Sequence, residues 1–269
     1  MGEYSHRPNT PDKVLAQRVG DCKDKALLLC TILRANGIPA SMAYVNTDRK
    51  GTISDMLPSP NAFNHVIVHV LLNNKTYWLD GTMSYQRGDL AGFCEPDYQQ
   101  ALVVTDTTTQ LTPIAVTTRG SLVVRETFTL PDEEGKDGSL RVATTYYRDN
   151  ADAQREDLAG ASMKEKEKSY LNYYKKLYGD VITKDSLTTA DSPAVNSLRI
   201  NESYILRHLW KKDSSNGKLL FTANARSFYD ALSYVSYDQR NVPVSLRYPY
   251  YLDYQIILHT PIEWSLDQT

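Results

Sequence analysis

Asp21-Cys22-Lys23-Asp24-Lys25-Ala26-Leu27-Leu28-Leu29-Cys30-Thr31-Ile32-Leu33-Arg34-Ala35-Asn36-Gly37 reads as a single helix with both ends marked. Apolar residues recur at helical spacing from Ala26 to Leu33 and Gly37 supplies a C-terminal stop, so a helix is expected over about residues 21–36. Asp21 suits the N-cap, and Asp24 three residues on resembles a capping box with Asp in place of Glu, which puts Cys22 in the first turn. Residues 22, 26, 29, 30 and 33 share one face, and its apolar members require a sheet to pack on, so Cys22 points at whatever that sheet presents. A thiol at the positive end of a helix dipole is biased toward the thiolate, the nucleophilic form. A cysteine is otherwise a small buried hydrophobe. Cys30, flanked by Leu29 and followed by Ile32, keeps that reading, whereas the polar flank Gly20-Asp21-Cys22-Lys23-Asp24-Lys25 argues against it for Cys22.

Further along, Phe63 to Leu72 and Thr76 to Leu79 are rich in Val, Ile, Tyr and Trp around an Asn73-Asn74-Lys75 turn, and Ser41 to Thr47 alternates weakly. Two of these make a hairpin. In the first long strand His65, Ile67, His69 and Leu71 share one face, and Val66, Val68, Val70 and Leu72 form an aliphatic, core-facing set. His65 and His69 stand four strand steps, roughly 13 Å, apart, too far to chelate one ion, so no metal site is expected and His69 reads as structural. His65 opens its strand and Asp80 closes the next, within reach across the hairpin, where a carboxylate would fix the imidazole's tautomer and orientation. Taken alone, Asp80 in Asp80-Gly81-Thr82 would serve equally as a turn residue.

The loop 48–62 is too long for a tight connection and ends beside His65, so it is expected to wall a cleft, with Met56, Leu57, Phe63 and Asn64 along it. Trp78 lies on the same strand face as Asp80, where it either shields the cluster or packs in the core.

The ordered blocks Gly20-Asp21-Cys22-Lys23-Asp24-Lys25-Ala26, Gly37-Ile38-Pro39-Ala40, Leu57-Pro58-Ser59, Phe63-Asn64-His65 and Tyr77-Trp78-Leu79-Asp80-Gly81-Thr82 resemble the bacterial transglutaminase-like superfamily. The resemblance covers roughly residues 4 to 105 and is closest to the branch in which this core lies between N- and C-terminal β-rich domains of unassigned function. It implies a papain-like α+β core, a helix packed on an antiparallel sheet, with Cys22 as nucleophile, His65 as general base and acid, and Asp80 orienting the histidine. It implies attack on a peptide or protein amide without cofactor, through a thioester that water or an amine resolves. The Cys22 backbone N–H is one oxyanion donor, and Gln17 is the candidate for the side-chain amide that usually supplies the second. Relatives carry a domain and linking helices before the cysteine motif, so the chain is expected to be part of a larger protein lacking its N-terminal domain. A periplasmic or cell-surface location is expected on the same ground.

Composition narrows the alternatives. At 269 residues and 41% hydrophobic, the chain suits one large or two ordinary domains with real cores. A net charge of −2 from 30 basic and 32 acidic residues offers no attraction for nucleic acid or an anionic membrane, and no uninterrupted apolar run is long enough to span a bilayer. Three cysteines, at 22, 30 and 94, imply no disulfide framework. No phosphate-cradling glycine loop, no paired Cys-x-x-Cys and no fixed-period repeat supports a nucleotide, zinc or repeat reading.

The Thr-rich stretch 105–118 reads as a crossing between a catalytic core, residues 1–115, and a second domain, residues 116–269. Strand-like runs at 121–130, 139–148, 197–209, 218–223 and 254–260 surround one helical stretch at about 152–178, an antiparallel β-rich domain carrying a helix. The alternating charges of Met163 to Lys168 read as a solvated face. Its tyrosines, among them Tyr170, Tyr173, Tyr174, Tyr178 and the group Tyr248, Tyr250, Tyr251 and Tyr254, serve either packing or a recognition surface. Two functions follow: a cysteine-dependent acyl-transfer enzyme (protease, amidase or transglutaminase), or a non-catalytic binding or assembly module keeping the same scaffold.

Overall fold

The computed structural model describes residues 7–90, 92–94, 97–115, 119–232 and 249–263. The chain forms two compact units, one of Met1–Ser84 with Cys94–Thr118 and one of Tyr85–Phe93 with Arg119–Thr269.

The first unit contains α1 (Pro11–Gln17), α2 (Cys22–Ala35), β1 (Ala40–Val45), β2 (His65–Leu72), β3 (Lys75–Leu79), β4 (Gln100–Val103) and β5 (Thr112–Pro113). Its five strands form an antiparallel sheet in the order β3-β2-β1-β4-β5. α2 starts on a complete capping box, Asp21 with Asp24, and ends at Gly37, whose φ of +75° turns the chain so that the Ile38 N–H reaches the Leu33 carbonyl. The five residues read as one face of α2 all sit in one apolar cluster, where Ala26 and Cys30 are buried against Val66, Val68 and Val70 of β2.

The sheet's other face is also covered. Val45, Ile67, Trp78, Ala101 and Ile114 form a second buried cluster there. Asn73 and Asn74, with φ of 53° and 60°, make the two-residue turn that fixes the β2–β3 register at Leu72 opposite Lys75.

The second unit contains β6 (Ser121–Thr129), β7 (Gly138–Tyr147), α3 (Asp149–Ala159), α4 (Met163–Tyr178), β8 (Val181–Ser192), β9 (Ser197–Leu206), the two-residue strands β10 (Lys211–Lys212) and β11 (Leu219–Leu220), α5 (Arg226–Ala231) and β12 (Tyr251–His259). Its main sheet runs β12-β6-β7-β9-β8, antiparallel except for β12, which lies parallel to β6. The expected single helix at 152–178 is two helices, because Ser162 and Glu165 form a capping box that starts α4 anew after Gly160. β8 escaped the sequence reading because an edge strand exposed along most of its length needs no apolar alternation. The run 218–223 contributes only the two residues of β11.

The tyrosines named on α4 are largely packing. Tyr174 is buried in the core with Phe128, Leu140 and Leu206, and Tyr178 packs against that cluster. The Tyr174 and Tyr254 hydroxyls donate to the two oxygens of Glu126, which is 2% exposed, at 3.2 and 2.8 Å. Tyr248 lies outside the described residues.

Candidate active site

Cys22 is the first residue of α2 and half-buried. What holds it there is the buried Asp24, whose carboxylate accepts the Asp21 N–H at 3.3 Å, the Asn9 N–H at 2.7 Å and the Asn9 side-chain amide at 3.1 Å. Burial pushes the Asp24 carboxyl up, but these donors, with Lys23 nearby, outweigh it and hold the group below its ordinary value. The Lys23 ammonium bonds the Asp21 carboxylate. Gly20 lets the chain pass this knot, since a Cβ there would stand 2.7 Å from the Asp24 Cβ. The N–H groups of Cys22 and Lys23 have no hydrogen-bond acceptor among the described residues, the usual condition of a first helical turn.

His65 opens β2, and its Nε2 lies 2.8 Å from Asp80 Oδ2 just beyond the end of β3. A carboxylate can only accept here, so Nε2 is the donor, which leaves Nδ1 as the nitrogen that can exchange a proton with the cavity. Asp80, 4% exposed, takes three further bonds: the Tyr98 hydroxyl on Oδ2 at 2.8 Å, and the Thr82 N–H and hydroxyl on Oδ1 at 2.9 and 2.6 Å. Burial would raise the Asp80 carboxyl, but the bonds from His65 and Thr82 prevail and hold it at about 2. The Tyr98 ring meets the imidazole edge-on, centroids 5.7 Å apart. Burial first, then the Asp80 charge, pushes the Tyr98 hydroxyl well above its ordinary value, so it stays a donor.

Cys22 and His65 line one cavity of about 950 Å³. Tyr44, Leu57, Phe63 and Asn64 also line it, so the loop before β2 does form a wall. The loop's root is tied down: Asn46, 7% exposed, donates to the Ala62 carbonyl at 2.7 Å and accepts the Asp48 and Arg49 N–H groups. Asn64 accepts the Thr47 N–H at 2.9 Å and donates to Thr47 Oγ1 and Asp48 Oδ2, so its side chain braces the wall.

Two sequence candidates lie elsewhere. Gln17 is the exposed last residue of α1, its amide donating to the Val19 carbonyl, and it does not line the cavity. Trp78 is 3% exposed in the core, its ring 4.8 Å from that of His69, and it too is absent from the cavity wall. Burial pushes His69 below the ordinary histidine value, which suits a neutral structural ring. Sequence reasoning missed Tyr98 and Asn9. Neither sits in a periodic or spaced pattern that would single it out. Among the described residues no group of three or more His, Cys, Asp or Glu side chains is placed to hold a metal ion, and no helix is long and apolar enough to cross a membrane.

Residues 2–80 match the transglutaminase-like superfamily, a stretch that contains Cys22 and His65 and ends on Asp80. No curated protein and no solved structure matches the chain.

Proposed function

We propose that the transglutaminase-like segment catalyses acyl transfer from peptide or protein amides through a thioester on Cys22, with residues 1–115 as the catalytic domain and the β-rich remainder, residues 116–269, as an accessory one. The observation that carries this reading is the convergence on one cavity of a thiol at a helix N-terminus and an imidazole held through Nε2 by a buried, ionised carboxylate. His65 Nδ1 takes the Cys22 proton, and the sulfur attacks the amide carbonyl carbon, forming a C–S bond while the carbonyl π pair moves onto oxygen. The unpaired N–H groups of the first turn of α2 are the donors available to that oxyanion. Collapse breaks the C–N bond, and the departing amine leaves with the proton from His65. Water or a second amine then attacks the thioester with His65 again as base, breaking the C–S bond and restoring the thiol.

Asp80 and Tyr98 act through the imidazole. The carboxylate stabilises the imidazolium formed in each half-reaction, and the Tyr98 hydroxyl holds the carboxylate in place.

The test is release of ammonia or amine from glutaminyl peptides and peptide bonds, compared in wild type and Cys22→Ala. The reading requires turnover that the substitution abolishes, together with an acid-stable acyl adduct on Cys22. Equal turnover in both proteins would refute it, and binding without turnover in either would favour the scaffold module.

A further inference from the structure

The cavity beside Cys22 is built for one class of acyl donor. Its wall is mostly apolar, with Tyr44, Met56, Leu57, Phe63, Leu102 and Leu111 among its residues, and no Asp or Glu among the described residues lines it. Among the described residues that line it only Lys23 carries a permanent charge, and that ammonium is already paired with Asp21. A charged substrate side chain entering this space would lose its hydration and find no unpaired counter-ion among the described residues, whereas an apolar one would bury its area against the apolar part of the wall.

The wall is also held ready. Asn46 and Asn64 pin the loop at both ends, Lys50 bonds Asp97 at 3.0 Å and the Gly51 N–H bonds the Gln99 side chain at 3.2 Å. The loop therefore presents Leu57, 87% exposed, without having to be ordered on binding. An exposed leucine at the lip of an apolar cavity is surface that a ligand would cover.

We infer that the cavity takes an extended peptide segment with large apolar side chains flanking the reacting carboxamide, and selects against acidic and basic flanks. The volume of about 950 Å³ admits two or more such side chains together with the carboxamide. This inference rests on the reading of Cys22 and His65 as the reacting pair only for where the carboxamide lies; the preference itself is a property of the wall.

The experiment therefore measures binding without chemistry. Fluorescein-labelled hexapeptides with a central glutamine, flanked by Leu and Phe, by Glu, or by Lys, are titrated against the 269-residue chain carrying Cys22→Ala and followed by fluorescence polarisation. The apolar peptide should bind at least tenfold more tightly than either charged one. Leu57→Asp, at an exposed position where folding is not at stake, should weaken the apolar peptide fivefold or more and narrow its advantage over the Lys peptide. Equal affinities, a charged peptide preferred, or an apolar affinity unmoved by Leu57→Asp would each overturn the inference. Loss of His65-dependent reactivity at Cys22 in the wild-type protein, measured separately, would overturn the catalytic reading and leave the binding preference standing.

Discussion

Replacing Asp80 with Asn removes one charge at the centre of the site and leaves the shape. Asp80 is 4% exposed and its carboxyl is held at about 2 against an ordinary 3.8. At about 1.4 kcal/mol per pKa unit, the gap between those values corresponds to about 2.5 kcal/mol of stability. The folded value is depressed, so this stability is fully present above pH 4 and lost as pH falls through 2. Asp80→Asn should therefore be less stable than wild type at pH 7, partly for this reason and partly because an amide N–H must face one of the donors now bonding the carboxylate. The second part does not change with pH. The first should shrink by about 1 kcal/mol between pH 5 and pH 3, and by about 2 kcal/mol between pH 5 and pH 2. Urea unfolding at each pH reads it. With a slope of roughly 2 kcal/mol/M, the gap in midpoints between the two proteins should close by about 0.5 M from pH 5 to pH 3. A gap constant over that range would refute the claim that His65 and Thr82 stabilise an ionised Asp80.

Tyr98→Phe deletes one of four donors to the same carboxylate and should cost about 2 kcal/mol in urea unfolding at neutral pH, the usual scale for a bond to a charged group. In the second unit, burial first of all raises the Glu202 carboxyl to about 7, against the opposing bond from the Tyr204 hydroxyl. Because the folded value is raised, stability is highest below about pH 4.5 and declines as pH rises through 7. The melting temperature of that unit should fall between pH 5 and 7.5, and Glu202→Gln should flatten the decline. Gly20→Ala places a Cβ 2.7 Å from that of Asp24 and must displace the capping knot, so it should lower stability by roughly 1–3 kcal/mol and slow alkylation of Cys22.

The elements that sequence made visible are those whose signals are local. The 3.6-residue rhythm of Ala26 to Leu33, its Asp21–Asp24 box and its Gly37 stop delimit α2 almost to the residue. The paired asparagines at 73 and 74 set the hairpin register, and that register brings His65 to Asp80. What stayed hidden depends on tertiary context. β8 is held by pairing with β9 rather than by apolar alternation. The parallel placement of β12 against β6 joins residues about 130 positions apart, and nothing in either strand specifies direction. Tyr98 reaches Asp80 from a segment with no regular structure of its own, and so has no periodicity to announce it. Gln17 enters only through the resemblance, which implies a side-chain amide as second oxyanion donor; the left-handed turn at Arg18, φ 55°, ends α1 and accompanies its amide bonding back to Val19. Trp78 was ambiguous by alternation alone, because both faces of the sheet are covered and a strand residue on either face meets a core.

The central claim is that His65 activates Cys22, and the direct measurement is the rate at which iodoacetamide labels Cys22 at pH 6, read by mass spectrometry of the intact chain and its peptides. Cys30 and Cys94, 0% and 3% exposed, are shielded and report any loss of fold. Rapid labelling confined to Cys22 is expected in wild type, slowed at least tenfold in His65→Ala while Cys30 and Cys94 stay unlabelled. Equal rates in the two proteins would contradict it.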